Sequence, residues 1–292
     1  MFDGLPTFIP ITNIVDETPS VKTFYFSYPL NSKPGQFVML WIPGLDQKPF
    51  SVGYDDGKKF GLTIFNRGPL TKELFEMKVG DRVGISGPYG TAFSVKPNTH
   101  YIMVAGGYGA APLGFLTEEV VKLGSTVDFC VGARSAEHLL FEDRVKNLDG
   151  VTVHLATDDG SNGYKGYVTD LLTVILNGAK DPSTAVIPVE TGIKTLDSRL
   201  RGNDNKETLV VTCGPELMER KVLDTCTDLG VQCEISIERY MKCGFGVCGQ
   251  CCVDPLGITM CVEGPVVSGQ LANQITEFGK YHRDKSGVKH NF

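Results

Sequence analysis

The chain has 292 residues, of which 41% are hydrophobic and 21% are charged, and its formal net charge is −6. This length allows two or three domains with cores of their own. The acidic balance argues against nucleic acid or an anionic membrane surface as the main partner, and no apolar run approaches the length of a membrane span. The N-terminal residues lack the basic and apolar regions of a signal peptide. We therefore expect a cytoplasmic location, with cysteines that are reduced or metal-bound.

Residues 7–95 have the pattern of short strands separated by Gly, Pro and Asn. Segments rich in β-branched and aromatic residues, or continuing their spacing, lie at 21–28, 36–42, 51–52, 62–65 and 81–86. Many short strands with turn residues between them predict a small antiparallel barrel.

Three loops of the predicted barrel carry residues suited to a ligand. Lys48 and Ser51 lie on either side of a rigid Pro-Phe step, and 87–93 is a turn with an aromatic residue on each flank. Gly68 and Pro69 begin a predicted short helix whose free N–H groups would suit a phosphate. Taken singly, each loop is typical of an ordinary turn. Their joint occurrence in one barrel makes them candidates for a ligand site.

A parallel α/β pattern begins near residue 100. Residues 101–105 form a continuous apolar run, as expected of a buried parallel strand, and a glycine turn follows. Pro112 suits the first turn of a helix that we expect to end near residue 123. Further strands are predicted at 127–132, 151–156 and 208–213, with helical segments between them that include 168–176. This alternation predicts a parallel α/β domain.

The glycine turn 106–109 is not a full dinucleotide fingerprint. Pro112 stands where the third glycine would fall, and no acidic residue ends the second strand, because Asp128 lies within it. The turn therefore fits either a nucleotide site or a plain tight turn. Cys213, followed by Gly214 and Pro215, ends the last apolar strand at the edge where open sheets place ligands. It is either a buried small hydrophobe or a contact to a reacting ring, and the local sequence favours the first.

Residues 182–207 are polar and show no sustained period. The segment separates a predicted helix from the strand that ends at Cys213, and it resembles the translated form of a dispersed bacterial palindromic repeat. We expect a surface insertion without a role in the chemistry.

The densest concentration of cysteines lies in residues 238–252, with Cys261 beyond it. The order Cys243-x4-Cys248-x2-Cys251, closed by Cys261, is that of a plant-type two-iron loop. The glycines between these cysteines let the backbone bend around an inorganic core and direct its N–H groups at the sulfides.

Zinc is the main alternative for this loop. Structural zinc sites usually pair two short Cys-x2–4-Cys segments, whereas one long and one short spacing share Cys248 here. The spacing therefore favours an iron–sulfur cluster, and a disulfide framework is disfavoured because nothing indicates secretion. Cys252 adjoins Cys251, but the x2 spacing selects Cys251, so we interpret Cys252 as a structural neighbour.

The barrel, the α/β domain and the cysteine loop in this order resemble the ferredoxin reductase superfamily. Within it, the chain resembles the iron–sulfur flavoproteins that serve as electron-transfer subunits of dihydroorotate dehydrogenase. The most specific piece runs from Glu238-Arg239-Tyr240 to Cys251, with Val262-Glu-Gly-Pro-Val behind the fourth cysteine. The resemblance implies a β barrel plus α/β fold with three domains. These are an FAD-binding antiparallel barrel at 1–97, an NAD-binding parallel-sheet domain at 98–233 that carries the insertion, and a 2Fe-2S domain at 234–292.

The resemblance also implies the binding residues, and it offers no acid–base catalytic residue. The implied cluster ligands are Cys243, Cys248, Cys251 and Cys261. The implied FAD contacts are Lys48, Pro49, Phe50, Ser51, Ile64, Phe65, Asn66, Gly68, Leu70 and Thr71. Lys48 stands where the family has arginine, which keeps the charge but loses the bidentate fork. The implied nicotinamide contacts are Gly106, Gly107, Gly109, Cys213 and Gly214. Tyr108 stands where a smaller aliphatic residue is common in the family.

The implied activity is electron transfer in pyrimidine biosynthesis. A partner subunit that carries its own FMN oxidises dihydroorotate, and this chain passes the electrons through the cluster and FAD to NAD. One alternative is a related reductase subunit that serves a hydrogenase, a sulfite reductase or a ferredoxin-linked transhydrogenase. A non-enzyme alternative is a redox-sensing cluster protein or a zinc-binding module. No nucleic-acid or membrane partner is expected.

Overall fold

A computed structural model describes residues 5–177 and 207–292 of the chain. By contacts, the chain divides into two compact units. The first contains Met1–Phe93, Ser236–Val267 and Gln274–Phe292, and the second contains Ser94–Ile235 and Ser268–Asn273. The three predicted domains stay a prediction. The predicted insertion at 182–207 lies outside the described residues except for its last residue.

The strands and helices follow one another along the chain in this order: β1 Thr7–Pro10, β2 Asn13–Thr18, β3 Val21–Phe26, β4 Phe37–Ile42, β5 Asp46–Asp55, β6 Phe60–Phe65, α1 Pro69–Glu76, β7 Arg82–Tyr89, β8 Thr99–Gly106, α2 Ala110–Val121, β9 Thr126–Ala133, α3 Glu142–Val145, β10 Val151–Thr157, β11 Tyr164–Lys165, α4 Val168–Leu176, β12 Glu207–Cys213, α5 Glu216–Leu229, β13 Cys233–Ser236, β14 Cys252–Val253, β15 Ile258–Thr259, β16 Val266–Ser268, α6 Gly269–Ala272, β17 Tyr281–Arg283 and β18 Lys289–Asn291. Among the described residues, no helix is long and apolar enough to cross a membrane.

The first unit is built on an antiparallel sheet with strand order β1-β7-β4-β5-β6-β3-β2. Its core includes Phe24 and Phe26, which lie on the same face of β3 and are fully buried. The rings of Phe26 and Phe60 stack with centroids 5.0 Å apart across neighbouring strands. The strand β5 shifts its register against β6 between Val52 and Tyr54, and such a bulge bends the sheet. This sheet agrees with the predicted antiparallel barrel.

The second unit has a parallel sheet in which β11, β10, β9, β8, β12 and β13 are neighbours in that order. The central strand β8 is buried over residues 101–106, because helices cover a parallel sheet on its faces. Helices α2 and α4 pack against β8 and β9. The helix α2 begins two residues before Pro112, which lacks the N–H that the first helical turn leaves unpaired. The parallel α/β architecture agrees with the prediction.

Candidate functional site

The cysteine loop packs directly against the antiparallel sheet of the first unit. Gly244 has φ +85°, and a Cβ atom at this residue would lie 2.7 Å from Met39 Cγ and 3.0 Å from Tyr89 Cδ2. The ring of Phe245 lies 6.4 Å from that of Tyr89. Only glycine combines this backbone conformation with so close an approach. The sequence-predicted glycine bend thus seats the loop on β4 and β7.

Backbone amides of the loop point at the cysteine sulfur atoms. The amide of Gly246 donates to Cys261 Sγ over 3.2 Å, and the amide of Cys261 donates to Cys251 Sγ over 3.4 Å. Burial alone would raise the pKa of Cys243, but hydrogen bonds from the amides of Cys248, Phe245 and Val247 and from the Cys248 side chain lower it to about 7. Amide donors of this kind stabilise negative charge on sulfur, as a bound thiolate cluster requires.

The four predicted ligands form two pairs of sulfur atoms. The side chains of Cys243 and Cys248 are hydrogen-bonded to each other, and so are those of Cys251 and Cys261. Within residues 5–177 and 207–292, no group of three or more His, Cys, Asp or Glu side chains is arranged around a single metal ion. Two thiol pairs suit a core with two metal atoms better than one tetrahedral zinc ion. The residues present therefore fit a two-iron cluster.

The burial of the thiols differs within the set. Cys251 and Cys261 are buried, whereas Cys248 is exposed. Burial raises the pKa of Cys251, and burial followed by the hydrogen bond with Cys251 raises the pKa of Cys261 to about 12. Deprotonation of the inner pair thus needs a compensating positive charge, which a metal ion supplies.

Cys252 faces its own hairpin. Its thiol donates to the carbonyl oxygen of Gly257 over 3.1 Å, in the turn between β14 and β15. This placement supports the predicted choice of Cys251 over Cys252 as a ligand.

The first predicted flavin loop lies on β5 of the same unit. Lys48, Pro49, Phe50 and Ser51 are half-buried there. Lys48 Nζ lies 3.1 Å from Asp46 Oδ2, 3.4 Å from Tyr240 Oη and 4.6 Å from the centroid of the Tyr240 ring. Burial alone would lower the pKa of Lys48, but hydrogen bonds to Asp46 and Tyr240 raise it. Lys48 is therefore a fixed cation between β5 and the start of the cysteine loop.

The second predicted flavin loop joins β6 to α1. Ile64 is buried and Phe65 is 38% exposed at the end of β6. The Asn66 amide donates to the carbonyl of Ser20, whereas Asn66 Oδ1 is buried without a hydrogen-bond partner in the part of the chain that the structure describes. A buried polar atom of this kind calls for a partner, and a flavin with polar ring atoms fits the need.

The start of α1 is ordered by one hydroxyl group. Thr71 Oγ1 accepts from the amides of Arg67 and Gly68, over 2.9 Å each, and donates to the Gly68 carbonyl over 3.0 Å. Leu70 is buried beneath this turn. The first turn of a helix leaves further N–H groups without partners, so the residues present fit a phosphate-bearing ligand.

The two predicted nicotinamide turns of the second unit meet each other. Strands β8 and β12 are parallel neighbours, with Ala105 opposite Cys213. A Cβ atom at Gly109 would lie 2.2 Å from the Cys213 carbonyl oxygen, and one at Gly106 would lie 2.5 Å from Pro215 Cδ. Two backbones can approach this closely only through glycine.

The remaining residues of these turns differ in their surroundings. Gly107 has φ +53° and open space where a Cβ would stand, so the turn leaves room for a ligand. Gly214 has φ +158°, and a Cβ atom there would lie 2.9 Å from Gly106 Cα. Cys213 is buried, as the local sequence favours, and Tyr108 is 37% exposed.

Sequence reasoning missed three groups of polar residues. Buried Glu219 accepts from the Gly214 amide over 3.0 Å and so fixes the turn after β12. Asp128 accepts from His154 Nε2 over 2.8 Å and pairs with His100 Nε2 at 3.1 Å across three strands. The third group contains Arg239, which forms an ion pair with Glu277. A polar residue inside an apolar strand was the one available signal, and it applied to Asp128 alone.

Comparison with known proteins identifies the family. Residues 238–272 match the family model of the iron–sulfur cluster binding domain of dihydroorotate dehydrogenase B. A probable dihydroorotate dehydrogenase B (NAD(+)) electron transfer subunit from Methanocaldococcus jannaschii is 40% identical over 284 residues, which cover 97% of this chain and 98% of the relative. A probable subunit of the same name from Methanocella arvoryzae is 39% identical over 97% of both chains.

Solved structures show the fold. An NADH-dependent reduced ferredoxin-NADP oxidoreductase, studied for flavin-based electron bifurcation, has a TM-score of 0.72 at 23% identity, covering 93% of this chain and 94% of its own. The cytochrome b5 reductase domain of Ulva prolifera nitrate reductase has a TM-score of 0.54 at 16% identity, covering 74% and 89%. The predicted fold class and family resemblance are confirmed. This chain belongs to the family of dihydroorotate dehydrogenase B electron transfer subunits.

Proposed function

We propose that this chain links the oxidation of dihydroorotate on an FMN-containing catalytic subunit to the reduction of NAD, by means of a 2Fe-2S cluster and FAD. The observation that carries the proposal is the direct packing of the four-cysteine loop on the sheet that bears the predicted flavin residues. When bound, FAD accepts single electrons and delivers two as a hydride, which is the chemistry needed between a cluster and a nicotinamide.

The cysteine loop would hold the cluster through Cys243, Cys248, Cys251 and Cys261. Its amides of Phe245, Gly246 and Val247 donate to two of these sulfur atoms and favour their charged form. Close packing of Gly244 on Met39 and Tyr89 keeps this loop against the sheet. Efficient electron transfer needs such fixed placement more than it needs an acid or a base.

The flavin residues would divide their work between the ring and the phosphates. Asn66 offers a buried amide oxygen that has no hydrogen-bond partner among the described residues, and the preceding Phe65 and the β5 residue Phe50 offer partly exposed side chains. Lys48 and the first turn of α1 supply positive charge and N–H donors for phosphate oxygens.

The nicotinamide residues would come from the second unit. The glycine turn 106–109 and the turn at Cys213 and Gly214 lie against each other, and Gly107 leaves open space at the turn. Glu219 holds the second turn in place through the Gly214 amide. Backbone donors at such a turn suit a pyrophosphate.

The relatives are named as electron transfer subunits, which implies a catalytic partner. That the partner carries FMN and that the complex lies in the cytoplasm are parts of the same proposal. The molecular mass of the purified complex measures its stoichiometry.

Co-expression with the catalytic subunit tests the proposal. The purified complex should contain FAD, iron and acid-labile sulfide, and it should reduce NAD when dihydroorotate is supplied. The catalytic subunit alone should oxidise dihydroorotate with an artificial dye but should not reduce NAD. A complex that holds the cluster and FAD but reduces NAD only with another donor would favour a related reductase. A chain that binds zinc or a cluster without FAD would contradict the proposal.

A further inference from the structure

The start of the cysteine loop is tied to a distant segment by a buried ion pair. Arg239 Nε donates to Glu277 Oε1 over 2.8 Å, and the two side chains are 3% and 1% exposed. Arg239 Nη1 also donates to the carbonyl oxygen of Glu238 over 2.6 Å. Arg239 lies four residues before Cys243. Its guanidinium group is oriented by both the Glu238 carbonyl and the Glu277 carboxylate.

The pair extends into a network that reaches the far end of the same loop. Arg283 Nε lies 3.9 Å from Glu277 Oε2, and Arg283 Nη2 donates to Asp254 Oδ2 over 2.5 Å. The amide and hydroxyl of Thr276 both donate to the Asp254 carbonyl, over 3.0 and 3.2 Å. Asp254 lies three residues after Cys251. Two arginines and two carboxylates therefore join both ends of the Cys243–Cys251 stretch to residues 276–283.

Stability alone does not account for a pair buried this deeply. Removing two ions from water is costly, and well-packed apolar residues of similar volume often replace a buried ion pair without loss of stability. What apolar residues do not supply is direction, because a guanidinium group and a carboxylate bind in few orientations. Because this pair lies beside the cysteine loop, its fixed orientation can hold the backbone of that loop in one position.

We propose that Arg239, Glu277, Arg283 and Asp254 form a clamp that fixes the spacing of Cys243 and Cys251, and that Arg239 and Glu277 are positioning residues for the cluster. The inference rests on the proposed function, since it concerns the cluster site. The clamp acts through the backbone of the loop, to which Arg239 bonds at the Glu238 carbonyl and Thr276 bonds at the Asp254 carbonyl.

The test compares an apolar replacement of the clamp with the same replacement elsewhere. Arg239→Met combined with Glu277→Leu removes both charges without leaving one of them buried alone. The matched control is Arg144→Met with Glu118→Leu, a two-bond ion pair of the second unit at 2.7 and 2.8 Å. Each protein is reconstituted with iron and sulfide without oxygen. Urea unfolding, bound FAD, visible circular dichroism of the cluster and the rate of iron loss to a chelator are then measured.

The clamp variant should keep its fold and FAD but change the visible circular dichroism and lose iron about 10-fold faster or more, as expected when groups behind metal ligands are removed. The control should match the wild type in both cluster measurements. If the folded clamp variant has the cluster spectrum and the rate of iron loss of the wild type, the clamp proposal is wrong. The proposed function is not contradicted by that result.

A conservative variant decides the question if the apolar pair does not fold. Arg239→Lys keeps the buried charge opposite Glu277 but loses the second hydrogen-bonding arm. It should fold and lose iron at an increased rate, and iron loss equal to the wild type would overturn the clamp. A wild-type chain that takes up no iron or sulfide would contradict the proposed function and the clamp together.

Discussion

The ammonium group of Lys48 lies 4.6 Å from the centroid of the Tyr240 ring and 3.4 Å from its hydroxyl oxygen. These residues are 192 positions apart in the chain. Lys48 belongs to the predicted flavin strand, and Tyr240 precedes the first cluster cysteine by three residues. The contact therefore joins the two predicted cofactor sites of the first unit through a cation and an aromatic ring.

Replacing Lys48 with alanine should weaken FAD binding. Loss of one charged contact to a phosphate is worth about 1–2 kcal/mol, and the difference from the wild type should be largest at low salt, where screening is weakest. Lys48→Arg should retain FAD at least as well, because it restores the bidentate fork. FAD release on dilution, followed by flavin fluorescence, measures the effect. Lys58→Ala, in the exposed turn between β5 and β6, is the control, and equal FAD retention in Lys48→Ala would refute the role of Lys48.

Replacing Gly109 with alanine should separate the two nicotinamide turns. The new Cβ would lie 2.2 Å from the Cys213 carbonyl oxygen, and the backbone cannot yield as a flexible side chain would. We expect a loss of about 1–3 kcal/mol in the free energy of unfolding and a large drop in NADH-dependent dye reduction, with FAD retained.

Gly114→Ala is the matched control for Gly109→Ala. Gly114 lies within α2, and its nearest neighbour would be Arg144 Nη1 at 3.7 Å from the new Cβ. Alanine in a helix is favoured over glycine by about 0.5–1 kcal/mol, so this variant should keep its activity and gain stability. An unchanged NADH–dye rate in Gly109→Ala would show that the turns do not need this contact.

Much of the fold was predictable because apolar residues follow the period of their elements. The helix predicted at 168–176 matches α4, and the apolar run at 101–105 lies within β8. Strands β1 and β2 lie in the region 7–95 that was predicted to contain short strands, but they were not located individually, because most of their side chains are exposed or half-buried and give no apolar alternation. The helix α5 was not predicted, because only Cys213 and the turn after it were interpreted from the sequence and no element was assigned to the residues that follow.

The site was predictable only where a motif carries the chemistry. Cysteine spacing selects residues that the fold then pairs, and the glycine turns mark close backbone approaches. The contact of Lys48 with Tyr240 and the pair of Arg239 with Glu277 depend on how distant segments fold together. No local period encodes such contacts, so a single sequence does not reveal them.

Replacing Asp128 with asparagine should destabilise the second unit at neutral pH. Burial alone would raise the pKa of Asp128, but hydrogen bonds from His100 and His154 hold it well below its ordinary value of 3.8. Because the folded pKa is depressed, the carboxylate stabilises the fold above about pH 4, and this contribution is lost as the pH falls through the folded pKa. We expect a loss of about 1–3 kcal/mol at pH 7.

Urea unfolding between pH 7 and pH 3 checks this expectation, because this range extends below the ordinary aspartate pKa of 3.8. The gap between wild type and Asp128→Asn should hold at neutral pH and narrow in the acid range. Asp149→Asn, at an exposed position of the same unit, should show no gap. Equal stability of the wild type and Asp128→Asn at pH 7 would contradict the assigned role of the two histidines.

Cysteine variants should distinguish the ligands from their neighbour. Cys251→Ser should lose the cluster, because a hydroxyl group is a poor replacement for a thiolate at iron. Cys252→Ser should keep it, since the Cys252 thiol donates to Gly257 in its own hairpin. Iron and sulfide content of the two purified variants measures the difference. Loss of the cluster in Cys252→Ser with retention in Cys251→Ser would shift the ligand assignment by one residue.

The most direct test of electron transfer through both cofactor sites uses Cys248→Ser in complex with the catalytic subunit. Two rates are measured on the same preparation. The first is NADH-dependent reduction of an artificial dye, and the second is dihydroorotate-dependent reduction of NAD. If electrons enter by the cluster and leave by FAD, the first rate should stay near that of the wild type and the second should collapse. Retention of dihydroorotate-dependent NAD reduction without a cluster would contradict the account, and so would loss of the dye reaction with FAD still bound.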